Sequence, residues 1–282
     1  MNFPNPKNII LRSKLLLRGV GGLFLLFVFS SCTDVIDIQI NSSDPQIITE
    51  GSVGLDEFAE VTLTKSIDLN DTNEFPAVEN AVVTITEKNG ESEVLTETKP
   101  GIYQSISLKG KAGKSYTLNI VSGNKEISSE STIPLKVAID SFSVVNSIYP
   151  GGGPPIGPMP AYFYEITVGF TDPAAETNYY RMLLFVNGVP KSGNRVSTDK
   201  FNNGNRVISN LIMYDQKIKK GDTIGVELQC IDKNVFNYFD SMSNGRMGGN
   251  SSSPANPYTN LNGSVLGFFS AHTVERREFV VK

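Results

Sequence analysis

Cys32 is the residue whose setting defines a reaction. It follows Phe29-Ser30-Ser31 at the end of an apolar run, Val20 to Phe29, and Lys7, Arg12, Lys14 and Arg18 precede that run with no acidic residue among them. A charged start, a short apolar stretch and small residues before a thiol describe a signal peptide, residues 1–31, cut so that Cys32 becomes the N-terminus. The run is too short to span a bilayer. The thiol then carries a diacylglyceryl group, and two or more acyl chains, at about 0.8 kcal/mol per buried methylene, hold a protein stably on a membrane. Phe29 stands where leucine is more usual. The bland alternatives are an ordinary secretory signal cut near Ser31 and an uncleaved anchor.

Downstream, other chemistry is sparse. His272 is the single histidine, so a multi-histidine metal site is excluded and a Ser-His-Asp triad would have to use it. No Gly-x-Ser-x-Gly elbow supplies the serine, and no phosphate-loop or dinucleotide glycine pattern occurs. An acid–base pair of carboxylates has no sequence spacing to betray it. Cys230 shares strand register with Ile224, Val226 and Leu228, which marks it as an inert core thiol. Asp68, Asn70, Asp71, Asn73 and Glu74 collect hard oxygen ligands, but Asn73 falls where a calcium loop needs glycine, and a solvated polar loop explains them. Tyr149, Tyr162, Tyr164, Tyr238 and Tyr258 flank two glycine-rich loops; they form a candidate ligand or partner surface, with strand-end core as the plain alternative. The sequence therefore assigns no catalytic residue, no metal ligand and no cofactor.

The elements that position these residues read as β. The formal charge is −4, and removing residues 1–31 takes away four cations, so the mature chain is more acidic still and lacks the basic footprint of a nucleic-acid binder. Two cysteines, one of them lipidated, leave no disulfide scaffold. Residues 32–45 form a polar tether, and the remainder is long enough for one large or two modest domains at roughly 150 residues each. Alternation places Val61 and Leu63, then Ala81, Val83 and Ile85, then Tyr116, Leu118 and Ile120 on inward faces. Asn89-Gly90 joins Val82–Glu87 to Glu93–Thr98 as a hairpin, and Ser122-Gly123-Asn124 makes a second. These short strands predict an immunoglobulin-like β-sandwich over residues 46–134.

A second β-rich domain is expected over residues 135–282. Its first strand, Val137–Ile148, ends at a Pro- and Gly-rich break, residues 150–160, that supports neither ladder nor helix. Tyr162, Tyr164, Ile166, Val168 and Phe170 then share one face of a one-sided strand, and the apolar faces on both sides of residues 180–186 predict a central one. Asp232 caps the one short helix, with Val235, Phe239 and Met242 on one side and a stop at Asn244-Gly245. Residues 278–282 form a last strand.

Taken in order, these segments resemble the Bacteroidota lipoproteins that carry domain of unknown function 4249. The resemblance covers nearly the whole mature chain. It rests on Cys32 with Asp34 and Asp37 soon after, Ala81-Val82-Val83-Thr84-Ile85, Pro100-Gly101-Ile102-Tyr103, and Gly113-Lys114-Ser115-Tyr116-Thr117-Leu118. Phe170-Thr171-Asp172-Pro173, Asn178-Tyr179-Tyr180-Arg181, Asn256-Pro257, Asn260, Gly263 and Leu266-Gly267-Phe268-Phe269-Ser270-Ala271 complete it. Phe268 and Ser270 stand where the family commonly has tyrosine and glycine. Gly101 and Gly113 suit turns, Asp172-Pro173 suits a turn that ends a strand, and Gly267 suits close backbone approach in a sheet.

The resemblance implies a non-enzymatic lipoprotein of the outer membrane, an accessory or ligand-capture partner of a TonB-dependent transporter. It carries no catalytic residues over. A surface structural or adhesive β-protein is the alternative, and a hydrolase working with carboxylates is third. The lipid on Cys32 is the expected link to the membrane, on either the periplasmic or the cell-surface face.

Overall fold

The computed structural model describes residues 44–68, 74–148, 162–191, 195–214, 217–247 and 257–282. The signal peptide, Cys32 and nearly all of the tether lie outside these residues, as do residues 69–73 of the acidic loop and the break at 150–160. Asp44–Lys282 forms one compact unit. It is mainly β, as expected, with one helix among the described residues.

Eight strands open the chain: β1 (Ile47–Gly54), β2 (Phe58–Lys65), β3 (Val82–Glu87), β4 (Ser92–Val94), β5 (Thr96–Lys99), β6 (Ile102–Lys109), β7 (Ser115–Ser122) and β8 (Lys125–Thr132). Then follow β9 (Ile139–Ile148), β10 (Tyr162–Thr171), β11 (Tyr179–Val186), β12 (Val189–Pro190), β13 (Arg195–Thr198), β14 (Arg206–Met213) and β15 (Thr223–Ile231). Helix α1 (Lys233–Met247), β16 (Val265–His272) and β17 (Glu275–Val280) close it.

The first sandwich packs a sheet ordered β16-β1-β2-β6-β5 against one ordered β4-β3-β7-β8. The predicted inward residues do face its core: Val61, Leu63, Val83, Ile85, Tyr116, Leu118 and Ile120 are fully buried. Burying one such side chain stabilises by about 1.5–3 kcal/mol. Both expected hairpins form, but the strand expected over 93–98 divides at Leu95. Ser92–Val94 pairs with β3 and Thr96–Lys99 pairs with β6 in the facing sheet. Leu95 sits between them, buried, its N–H donating to the Val83 carbonyl at 2.8 Å. Leu95 keeps the inward face that it shares with Val83 on β3, while the chain passes from one sheet to the other.

β16 comes from the far end of the chain and pairs in parallel with β1, Gly267 opposite Thr49. Gly267 has φ +104, and a Cβ there would lie 1.9 Å from the Thr49 carbonyl oxygen, so only glycine fits. Close approach was the reading of this glycine from sequence. Asn260 covers the outer edge of the same strand: its side-chain nitrogen donates to the Phe269 carbonyl at 2.7 Å and its oxygen accepts the Phe269 N–H at 3.0 Å.

The second sandwich packs a sheet ordered β14-β10-β9 against one ordered β12-β11-β15-β17, with β13 also on β11. Ile166, Val168, Phe170, Tyr180, Met182, Val226 and Leu228 fill its core. β11 lies between neighbours, as its two apolar faces predict. Asn187-Gly188, with φ +52 and +76, turns β11 into β12, a hairpin whose turn residues the sequence carries. α1 starts where expected, the Asp232 side chain accepting the N–H groups of Asn234 and Val235 at 2.8 and 3.0 Å. It runs through Gly245 to Met247, not stopping at Asn244, because glycine inside a last turn costs only about 1 kcal/mol and keeps the helical bonds. The last strand begins at Glu275, three residues before the expected Glu278, and pairs with β15. No described helix is long and apolar enough to cross a membrane.

Candidate functional site

The five tyrosines proposed from sequence do not form one surface. Tyr164 faces inward from β10 into the second core and is buried, because its register puts it with Ile166 and Val168. Tyr238 is buried under α1, its ring 5.0 Å from Phe239 and 4.9 Å from Phe268, because it lies one helical turn from Val235. Both are core, which corrects their place in the candidate surface. Of the three whose side chains are described, Tyr258 alone is a surface ring, leaning on α1 with its N–H donating to Ser241 Oγ at 3.0 Å and its hydroxyl to Asn234 Oδ1 at 3.3 Å. Tyr149 and the side chain of Tyr162 lie outside the described residues.

The polar residues of the second sandwich instead gather around one loop, residues 199–205, between β13 and β14. Asp172 ends β10 with its carboxylate buried, accepting the Tyr180 hydroxyl and, at 2.9 Å, the Gly204 N–H. Burial first, then the adjacent carboxylate, pushes the Tyr180 phenol far up, so it stays a proton donor. Asp199, also buried, accepts the Asn178 N–H at 2.8 Å, while the Asp199 N–H donates to the Asn178 carbonyl at 3.2 Å. The Asn178 amide in turn donates to the carbonyls of Pro173 and Glu176 at 3.0 and 2.9 Å. Asn202 N–H to Asp199 O, at 2.6 Å, and Asn205 N–H to Asn202 O, at 2.8 Å, close the turn. Phe201 stands at its tip, 87% exposed, with the Lys200 ammonium 5.5 Å from its ring centre. Aspartate and asparagine side chains and turn bonds thus fix the backbone of the loop that carries this bare aromatic ring. A lone phenylalanine in Lys200-Phe201-Asn202-Asn203-Gly204 was the signal that could have found it.

A second polar chain runs under α1 toward the first sandwich. Arg181 stacks on Phe239, 3.8 Å from the ring centre, and donates to Gln229 Oε1 at 3.2 Å. Gln229 donates to Glu227 at 2.6 Å, and Glu227 accepts Arg276 Nε at 2.6 Å. Arg276 also pairs with Glu57, in the turn before β2, at 3.0 Å. Burial pushes the Arg181 guanidinium down to about 10 against the pull of Glu227 and Glu50. His272 is buried beside this chain, its Nδ1 3.1 Å from Ser270 Oγ; burial pushes it down to about 4, so it is neutral at pH 7.

These groups are poorly placed for catalysis. Ser270 beside His272 has no exposed surface, and burial pushes the Cys230 thiol up, away from the thiolate a nucleophile needs. The carboxylates that depart from their ordinary range, Glu87, Glu93, Glu97 and Glu275, are all held below it, the wrong direction for a general acid. Among the described residues, no three His, Cys, Asp or Glu side chains are grouped to hold a metal ion. An open groove of about 280 Å³ lies over Gly225, bounded by Phe185, Arg276 and Glu278.

Fold and site together define a β-sandwich protein whose buried polar groups fix loops and strand edges. Residues 33–278 match the family described as a domain of unknown function, DUF4249, and the chain belongs to that family. No curated protein matches it.

Proposed function

We propose that this protein is a lipoprotein of the outer membrane, anchored through Cys32, that acts without catalysis as an accessory or ligand-capture partner of a TonB-dependent transporter in Bacteroidota. The observation that carries a recognition role is Phe201. An 87% exposed ring on a loop closed by Asp172 and Asp199 contributes nothing to the core, and a rigid aromatic is a low-entropy anchor for a partner's pocket. Cys32 and the signal before it support the anchor. Two sandwich cores in one chain also suit a spacer, which supports the second reading, a surface structural or adhesive protein.

Pull-down of the tagged full-length protein from detergent-solubilised membranes tests the proposal: a TonB-dependent transporter is recovered with the wild type, and recovery falls at least tenfold with Phe201→Ala. Repeated failure to recover any transporter overturns the transporter role, and glycan binding that persists in its absence favours the adhesive reading. Cys32→Ala abolishes metabolic labelling by an alkyne fatty acid; unchanged labelling overturns the anchor.

A further inference from the structure

The sheet β14-β10-β9 has a second face, turned away from the core, that is only half polar. Ladder register puts Val145 and Ile212 directly on either side of Glu165. Val145 is 53% exposed and Ile212 51%. At the same end of the sheet Tyr214 lies over Phe163, ring centres 5.9 Å apart, and is itself half exposed. Ile208 adds another exposed side chain farther along β14. Glu165 is exposed, and its carboxylate makes no hydrogen bond or ion pair among the described residues. A carboxylate stands between two bare aliphatic side chains, each about one strand spacing, ~4.8 Å, away.

We propose that this face docks a partner protein through a segment that lays a lysine or arginine on Glu165 between apolar side chains resting on Val145 and Ile212. Any surface that covers the two aliphatic groups also strips water from the carboxylate, and that desolvation is offset only if the covering surface supplies a cation. A second copy of this chain, laid face to face about an axis over Glu165, would bring Glu165 against Glu165, since Arg206 on this face is held by Ser141 at its far end. An anionic lipid surface meets the same repulsion. A basic, apolar-flanked protein segment satisfies all three side chains at once, and the inference stands whether or not that partner is a transporter.

Selection of a displayed peptide library on the purified full-length chain tests this directly. Enriched peptides carry lysine or arginine flanked by apolar residues. Selection on Glu165→Lys replaces that basic position by aspartate or glutamate, and Val145→Ser with Ile212→Ser weakens the wild-type peptides at least tenfold. The chain has no tryptophan, so Ile212→Trp places a unique fluorophore on the face. Its emission is that of a solvated indole in the free chain and shifts to the blue when the selected peptide is added. The proposal is overturned by the absence of a basic consensus, by a consensus that Glu165→Lys leaves unchanged, or by emission already blue-shifted in the free chain.

Discussion

The two sandwiches use their acidic side chains differently. In the first, Glu93 and Glu97 lie near the rim and take up backbone donors, and the buried Glu87 is met from the rim by Lys111 and Lys114 at 2.8 and 3.4 Å. Glu93 accepts the N–H groups of Ile106 and Leu108 at 2.5 and 2.6 Å, and Glu97 accepts those of Asn80 and Gly101 at 3.0 and 2.9 Å. In the second, Asp172, Asp199, Glu227 and Gln229 are buried: the aspartates bond to Tyr180, Asn178 and the 199–205 loop, and Glu227 and Gln229 bond to Arg276 and Arg181, which reach Glu57 and the helix. The first region uses polar groups to close itself. The second uses them to fix the loop that bears Phe201 and leaves a half-apolar sheet face beside Glu165, which is why we propose recognition there.

The sharpest way to break this contrast is at β16, the strand that the C-terminal part lends to the first sheet. Gly267→Ala puts a Cβ into the Thr49 carbonyl at positive φ and lowers stability by at least about 4 kcal/mol, read by urea denaturation. Because Asp44–Lys282 is one compact unit, the loss is expected as one transition seen alike by near- and far-ultraviolet dichroism. Two separated transitions would make the sandwiches independent.

The next effect is pH dependence, which separates the buried polar chain from the rim carboxylates by window. His272 has its folded pKa depressed from 6.5 to about 4, so between those values the unfolded chain binds a proton that the folded chain refuses. Stability therefore falls as pH drops from about 6.5 to about 4, by about 3 kcal/mol in all, and levels off below. His272→Gln removes that slope. Glu93 at the rim behaves differently: burial raises it, but the donors of Ile106, Ser107 and Leu108 outweigh it and hold the carboxyl low. Its contribution is present above the ordinary carboxylate value of 4.5 and is lost as pH falls through its lowered one. A slope between pH 5 and 6.5 that survives His272→Gln would remove the distinction.

Smaller effects sharpen it further. Glu93→Ala leaves donors at a solvated rim and costs about 1–2 kcal/mol at pH 7, read by thermal unfolding. Phe201→Ala changes stability by less than about 0.5 kcal/mol, because the ring touches water more than protein, while it removes partner recovery. A large stability loss from Phe201→Ala would make the ring structural.

Some of the site was legible and some was not, for physical reasons. Asp232 as a helix cap, Gly267 as a close approach and Cys230 as a core thiol follow from local rules, because each depends on its own backbone or on strand period. Tyr164 and Tyr238 were misplaced as surface candidates, because a tyrosine beside a glycine-rich loop looks the same whether its ring turns in or out. β13 and β14 went unread: Val207, Leu211 and Met213 face in while Ile208 and Ile212 face out, so the alternation that marks a strand is blurred.

By itself the sequence determined the β class, both early hairpins, the capped helix and the family, since these rest on period two, turn residues and motif order, all of which are short-range. Only the tertiary structure decided that β16 pairs with β1, that Leu95 crosses between sheets, that Asp172 and Asp199 hold Phe201, and that Glu165 stands between Val145 and Ile212. Each of these joins residues far apart in the chain, and such pairings are selected by burial and hydrogen bonding in the assembled fold, not by any pattern that neighbouring residues carry.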